Sequence, residues 1–208
     1  LCRNLKRLYP ESRLVFVSNK PFTDISRYMD GVDEVWTYDK WGIHKGLAGW
    51  YKFYKEHKNQ YVFDAAFVIY GNERGILLSK FLGAKKIYAD NRHAIVRLLL
   101  SNGKINYRKW IHVQDRHAYL AELYAGKPME SMKIRYHVPD EAFAYINEQL
   151  LKGISKPIIA LNPVTKRKEK DLKPDTLLTL AKKIKDAGMI PAMIGCLLYT
   201  SDAADKLE

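Results

Sequence analysis

The 208-residue chain is poor in the residues that would make several functional classes easy to assign. It has two cysteines, Cys2 and Cys196, too few for a disulfide scaffold or a cysteine-built structural zinc site. It has no Asn-x-Ser/Thr acceptor, and no secretory or lipidation motif can be read. The six histidines form no His-Glu-x-x-His motif and no i, i+4 pair. No Asp-x-Asp occurs, so nothing marks a carboxylate-held divalent ion. Gly-x-Gly-x-x-Gly, Walker and Gly-x-Ser-x-Gly loops are missing too. Its longest uncharged run, Ala187 to Ser201, is too short to span a bilayer and is broken by Gly188, Pro191 and Gly195. These absences leave a reducing, cytoplasmic setting as the default expectation.

What is abundant is positive charge. Lys and Arg number 35 against 23 Asp and Glu, a formal charge of +12. Hydrophobic residues make up 47% and charged residues 28%, an ordinary globular composition. Such a basic excess suits a partner with phosphates: nucleic acid, a nucleotide-sugar or an anionic membrane face.

Both ends read unusually. There is no initiator Met, and Leu1, Leu5 and Leu8 already carry helical spacing that closes at Tyr9-Pro10, so an opening segment is expected upstream. At the other end, 196–208 has no helical or strand period. Its CLLYTSDAAD string reads as a translated sequencing-library adapter, a non-native tail. Setting it aside removes Lys206 and the acids Asp202, Asp205 and Glu208, which leaves 34 basic against 20 acidic residues, or +14.

Between the ends strands and helices alternate. Leu14–Val17 reads as a short buried strand, Val35–Tyr38 as a second strand, and Leu47–His57 as an aromatic helix. Val62–Tyr70 is a nearly continuous apolar run expected to be a strand buried on both faces. Glu73–Leu82 reads as a helix ending at Gly83, Lys86–Ala89 as a strand, and Ala94–Leu100 and Val113–Tyr124 as helices, the latter ending at Gly126. Pro139–Leu151 has proline and acids where a helix start favours them. After a linker, Ile158–Leu161 predicts a fresh buried strand, Pro174–Ala187 a helix capped by Gly188, and Ile190–Ile194 another strand. The pattern predicts an α/β chain with two doubly wound domains, 1–152 and the beginning of a second at 153–195, the first lacking its opening strand and the second truncated.

The most chemical stretch follows IIAL: Asn162-Pro-Val-Thr165-Lys166-Arg-Lys168-Glu-Lys170, leading into the helix at Pro174. A loop between a strand end and a helix N-terminus offers backbone N–H groups and a positive dipole end to a diphosphate. Thr165 can donate its hydroxyl, and Lys166, Lys168 or Lys170 can neutralise phosphate charge. A solvated basic loop would show the same residues. Asp64, at the start of the Val62–Tyr70 run, reads as a structural turn residue; Asp39, Asp90 and Asp115 lie near strand or helix ends, and nothing in the sequence selects one of them. The aromatic-basic segment 50–55, with Lys52 and Lys55, fits a packing face, a base-stacking surface or a membrane surface.

Several stretches together resemble the heptosyltransferase family of bacterial lipopolysaccharide synthesis, glycosyltransferase family 9. They are Tyr9-Pro10 with LVFV, Gly31–Lys40 (GVDEVWTYDK), Tyr61–Ala89, His112–Gly126 and Leu161–Gly195. The resemblance implies a GT-B architecture of two Rossmann-like domains, with an N-terminal acceptor side and a C-terminal nucleotide-sugar side. It implies transfer of heptose from ADP-heptose to a lipid A–Kdo type acceptor by a metal-independent inverting displacement, with no cofactor and peripheral contact with the anionic inner membrane. By position, the family's phosphate-contacting Thr and Lys fall on Thr165 and Lys170. The family's Lys-x-Trp-Pro is here Lys170-Asp171-Leu172-Lys173-Pro174, so Trp is replaced by Leu172 and one residue is added. Asn162 and Lys166 complete the expected substrate-binding set. The family's catalytic Asp would lie upstream of Leu1, so no catalytic residue is assigned and the fragment alone is expected to be inactive. Two other readings remain at this stage: a different nucleotide-sugar transferase of the same fold, and a basic nucleic-acid-binding module. The scattered basic residues and the missing recognition motifs argue against nucleic acid.

Overall fold

The computed structural model describes residues 1–69, 73–90, 102, 112–163 and 171–195. The expected helix Ala94–Leu100 and the tail 196–208 lie outside the described residues, as do Thr165, Lys166, Lys168 and Lys170. The chain divides into two compact units, Leu1–Asp140 and Glu141–Glu208. That division falls at the first residue of the helix Asp140–Tyr145.

The first unit opens with α1 (Cys2–Leu8), then β1 (Val15–Asn19), a 3-10 turn over Lys20–Phe22 and a short helix α2 (Thr23–Arg27). It continues with β2 (Glu34–Tyr38), α3 (Gly46–His57), β3 (Ala65–Val68), α4 (Glu73–Phe81), β4 (Lys86–Ala89) and α5 (Val113–Ala125). β1 pairs parallel with β2, Val15 opposite Glu34, and β3 pairs parallel with β4, Ala65 opposite Lys86. Parallel pairs need a crossover: α2 lies in the β1–β2 connection and α4 in the β3–β4 connection, while α3 links β2 to β3. The second unit holds α6 (Asp140–Tyr145, continued by a π turn over Ile146–Leu150), β5 (Ile158–Leu161), α7 (Pro174–Asp186) and β6 (Ile190–Met193). β5 and β6 are again parallel, joined across α7 as a βαβ unit.

The core of the first unit is aromatic. Phe53 on α3 is fully buried, with Trp36 of β2 at 6.4 Å and Tyr38 at 5.1 Å, both edge to face. His57 stacks flat on Trp36 at 4.0 Å. A second cluster forms where Ile76 of α4 meets Ile87 and Ala89 of β4. A third joins Tyr88 to Leu120 of α5. The segment 129–137, to which the sequence assigned no element, is tied back to the start of the chain. Asn4 Nδ2 donates to the Glu130 carbonyl at 3.0 Å, Asp30 N–H to the Arg135 carbonyl at 3.0 Å, and His137 N–H to the Tyr28 carbonyl at 2.7 Å. The first of these bonds satisfies the amide nitrogen of the buried Asn4. At Gly31, whose φ is +86°, a Cβ would lie 2.8 Å from the Cys2 backbone, so only glycine lets the turn before β2 meet α1.

Three expectations are corrected. The strand expected over Val62–Tyr70 is ordered as a ladder only over Ala65–Val68, because its partner β4 has four residues. Val62 is 80% exposed and the four strand residues are half-buried. In β1, Val17 is 44% exposed and the buried position is Ser18, whose hydroxyl lies 2.9 Å from that of Ser26 on α2. In β5, only Leu161 is buried. A parallel strand is enclosed only when helices cover both faces and strands both edges. Here β1, β3 and β5 each have one ladder partner among the described residues.

Candidate functional site

In open parallel sheets ligands bind beyond the carboxyl ends of the strands, so those ends are where chemistry belongs. In the second unit β5 ends at Leu161, and Asn162 follows it, exposed. The Leu172 N–H donates to the Pro163 carbonyl at 3.0 Å, so the two ends of the 164–170 loop are clasped together. α7 then starts with Pro174 at its first position and Asp175 in its first turn. Its N-cap, Lys173, makes no side-chain cap bond. Strand end, clasped loop and helix start therefore stand in the order the sequence predicts. Asn162 and the flanks of the loop are thus placed, while Thr165, Lys166 and Lys170 stay outside the described residues.

The first unit has two polar groupings at its strand ends. Beyond β2, Asp39 accepts from Lys20 Nζ at 2.9 Å and from the Gly42 N–H at 2.9 Å. The lysine bond holds the Asp39 carboxyl below its ordinary range, and the Gly42 N–H adds to this. His44 is 3% exposed. Its Nδ1 accepts the Asp39 N–H at 2.9 Å, which assigns the proton to Nε2, placed 3.0 Å from Glu56 Oε2. Tyr38 donates its hydroxyl to the His44 carbonyl at 3.1 Å. With both ring nitrogens bonded, and its ring stacked on Tyr38 and perpendicular to Phe53, His44 organises the loop rather than offering itself to a ligand.

Beyond β4 lies a grouping the sequence did not select. Asp90 has its carboxylate 3.7 Å from Arg116 Nε and 4.0 Å from His117 Nε2, both on the first turns of α5. The Asp90 N–H extends the ladder by donating to the Val68 carbonyl at 2.9 Å. Burial pushes the His117 imidazole below its ordinary value, against the pull of Asp90 and of its bond to the Ile69 carbonyl. A carboxylate that is almost fully enclosed thus holds a guanidinium at the carboxyl edge of the β3–β4 pair. The signal available in the sequence was position alone: Asp90 directly follows the KIYA strand.

Other ionisable groups serve packing. Glu34 accepts from Tyr61, Trp36 and Arg13, and these bonds, that of Tyr61 foremost, keep its carboxyl below the usual range. Asp64 is exposed and pairs with Lys85 at 2.7 Å across the entry to the β3–β4 ladder, a structural role. Asp115 lies in the first turn of α5, where the helix dipole favours a carboxylate.

No protein-family model matches the chain, and no curated protein does. Solved structures do. The chain is similar to the crystal structure of a glycosyltransferase family 9 protein from Veillonella parvula, with a TM-score of 0.80 at 17% identity over 96% of this chain. The fold is that of the GT-B heptosyltransferases. E. coli ADP-heptose lipopolysaccharide heptosyltransferase II matches 99% of the chain with a TM-score of 0.72 at 17% identity. The E. coli heptosyltransferase WaaC, solved with ADP-2-deoxy-2-fluoro heptose, matches 98% with a TM-score of 0.67 at 15% identity. The chain spans 58%, 62% and 66% of the lengths of these three structures. At such identities the likeness establishes architecture, and the α/β, GT-B-like fold read from the sequence is borne out.

Proposed function

We propose that the chain is part of a glycosyltransferase that moves a heptose from ADP-heptose to the inner core of a lipopolysaccharide acceptor. The observation that supports this most is the GT-B heptosyltransferase fold over nearly the whole chain, combined with a β5–loop–α7 junction whose sequence carries Thr165 and several lysines. In this reading the second unit holds the donor. Thr165 and one or more of Lys166, Lys168 and Lys170 bind the diphosphate, with Asn162 at the strand end. The first unit faces the acceptor, a lipid A–Kdo type molecule reached through peripheral contact with an anionic inner-membrane face on the cytoplasmic side.

The reaction is an inverting displacement that uses no metal. The acceptor oxygen forms a bond to the anomeric carbon as the bond from that carbon to the diphosphate breaks, and ADP departs with the bonding pair. A carboxylate base takes the acceptor proton, and lysine and backbone N–H groups stabilise the charge developing on the diphosphate. In this reading the residues assigned here supply the leaving-group half of the chemistry, and no residue of the chain is assigned as the base.

Calorimetric titration with ADP tests the reading. ADP is expected to bind, and Lys170→Ala to weaken it by about tenfold, the usual loss for one charge-assisted hydrogen bond. Binding of UDP in preference to ADP would move the donor to another nucleotide-sugar class. Binding of neither nucleotide, with tight salt-sensitive retention of RNA, would replace the transferase with a nucleic-acid-binding module.

A further inference from the structure

From the loop after β2 and the outer face of α3 we infer an anionic-lipid docking surface, centred on Trp41, Ile43, Leu47 and Tyr51. This deepens the membrane contact of the proposed transferase by assigning the residues that make it. Trp41 is 66% exposed, Ile43 59%, Leu47 78% and Tyr51 49%. Their outward direction is imposed by packing. His44, between Ile43 and Lys45, is buried against Phe53, and this alternation turns its two neighbours outward. On α3, Gly49 and Phe53 face inward, so Leu47 and Tyr51, four residues apart, share the opposite stripe. Loop and helix form one surface because Gly49 lies directly on the His44 backbone.

The charge around these side chains is of one sign. Lys40, Lys45, Lys52 and Lys55 are all exposed, and no acidic residue occurs between Asp39 and Glu56. The two flanking acids are engaged, Asp39 by Lys20 and Glu56 by His44. The Lys40 ammonium lies 5.5 Å from the Trp41 ring centroid and the Lys55 ammonium 5.0 Å from that of Tyr51. Each pair puts an amphipathic ring beside a cation, the combination that seats at a headgroup layer. A second copy of the chain would bring like charges together. A base-stacking surface would leave Ile43 and Leu47 without a partner, whereas acyl chains take both. The surface follows the carboxyl end of β2, the edge at which a lipid-anchored acceptor would arrive.

The test is co-sedimentation of the full chain with phosphatidylcholine vesicles, with and without phosphatidylglycerol. Binding is expected to require phosphatidylglycerol. It should fall about fivefold for Lys45→Gln, the weight of one lysine near an anionic surface. It should fall by more than about tenfold for the paired Trp41→Ser and Leu47→Ser variant. All three positions are exposed, so circular dichroism should be unchanged. In vesicles with brominated acyl chains, tryptophan quenching should largely disappear in Trp41→Phe. Unchanged binding by these variants, equal binding to neutral vesicles, or undiminished quenching would overturn the assignment. So would variants that alter self-association or RNA retention while leaving vesicle binding intact. ADP titration on the same preparations reports separately on the transferase reading.

Discussion

Gly49 governs how closely the loop over Asp39–Lys45 lies on α3. A Cβ there would stand 2.2 Å from the His44 carbonyl carbon, against backbone that cannot swing aside. Alanine is the better helix former by up to about 1 kcal/mol, so an open site would gain from Gly49→Ala. At this contact, overpacking costs about 1–3 kcal/mol, and the variant should be less stable than the parent in urea. A more stable variant would mean that the loop does not rest on the helix. Protonation is the other effect at this scale. His57 lies against Trp36 and His117 beside Asp90, and burial pushes both imidazoles below the ordinary 6.5. The folded state therefore prefers them neutral. Their contribution is complete above pH 6.5 and is lost as pH falls through the lower folded values. The urea midpoint should drop between pH 7.5 and 5.5, and drop less in His57→Phe. Equal drops in parent and variant would remove His57 from this account. The carboxylates Glu34 and Asp39, held low by their donors, give way in a separate and more acidic window.

Among the elements, α2 packs against both β1 and β2, while Phe53 anchors α3 to Trp36 and Tyr38 of β2. Phe53→Ala should cost about 3–5 kcal/mol in denaturant unfolding, whereas Leu178→Ser on the exposed face of α7 should stay within about 0.5 kcal/mol. A small loss at Phe53 would contradict the aromatic core. Helices with a clear apolar stripe and a terminal glycine were legible in the sequence: α4, α5 and α7 run out beside Gly83, Gly126 and Gly188, each at positive φ. α2 was not, because five residues carry too little period to register and a preceding Pro21 starts it through a 3-10 turn. Strand positions were legible from apolar runs, but burial was not. Apolar content states what a strand can bury, whereas the elements beside it decide what it does bury. The same limit explains the site. The loop after β5 could be found from its local pattern of basic residues between a strand and a helix. Asp90 met Arg116 and His117 only through folding, since they lie far apart in sequence.

For the whole molecule, the +12 charge resolves into local roles. Part of it is spent in ion pairs such as Lys6–Asp33 and Lys20–Asp39, part surrounds the exposed aromatic surface near α3, and a dense part lies in the sequence between β5 and α7. Among the described residues no helix is long and apolar enough to cross a membrane. Three parallel strand pairs in two units fit a GT-B-like fold without any of the usual phosphate-loop signatures, so the fold was readable from the alternation of strands and helices while the proposed site rests on one basic loop. The central claim is that this loop, clasped by the Leu172–Pro163 bond, is where an ADP-sugar is held. Amide hydrogen exchange with and without ADP-heptose tests it most directly. The account predicts ligand-dependent protection concentrated in residues 161–177, spanning the end of β5 and the first turn of α7. Protection absent there, or confined to the first unit, would contradict it.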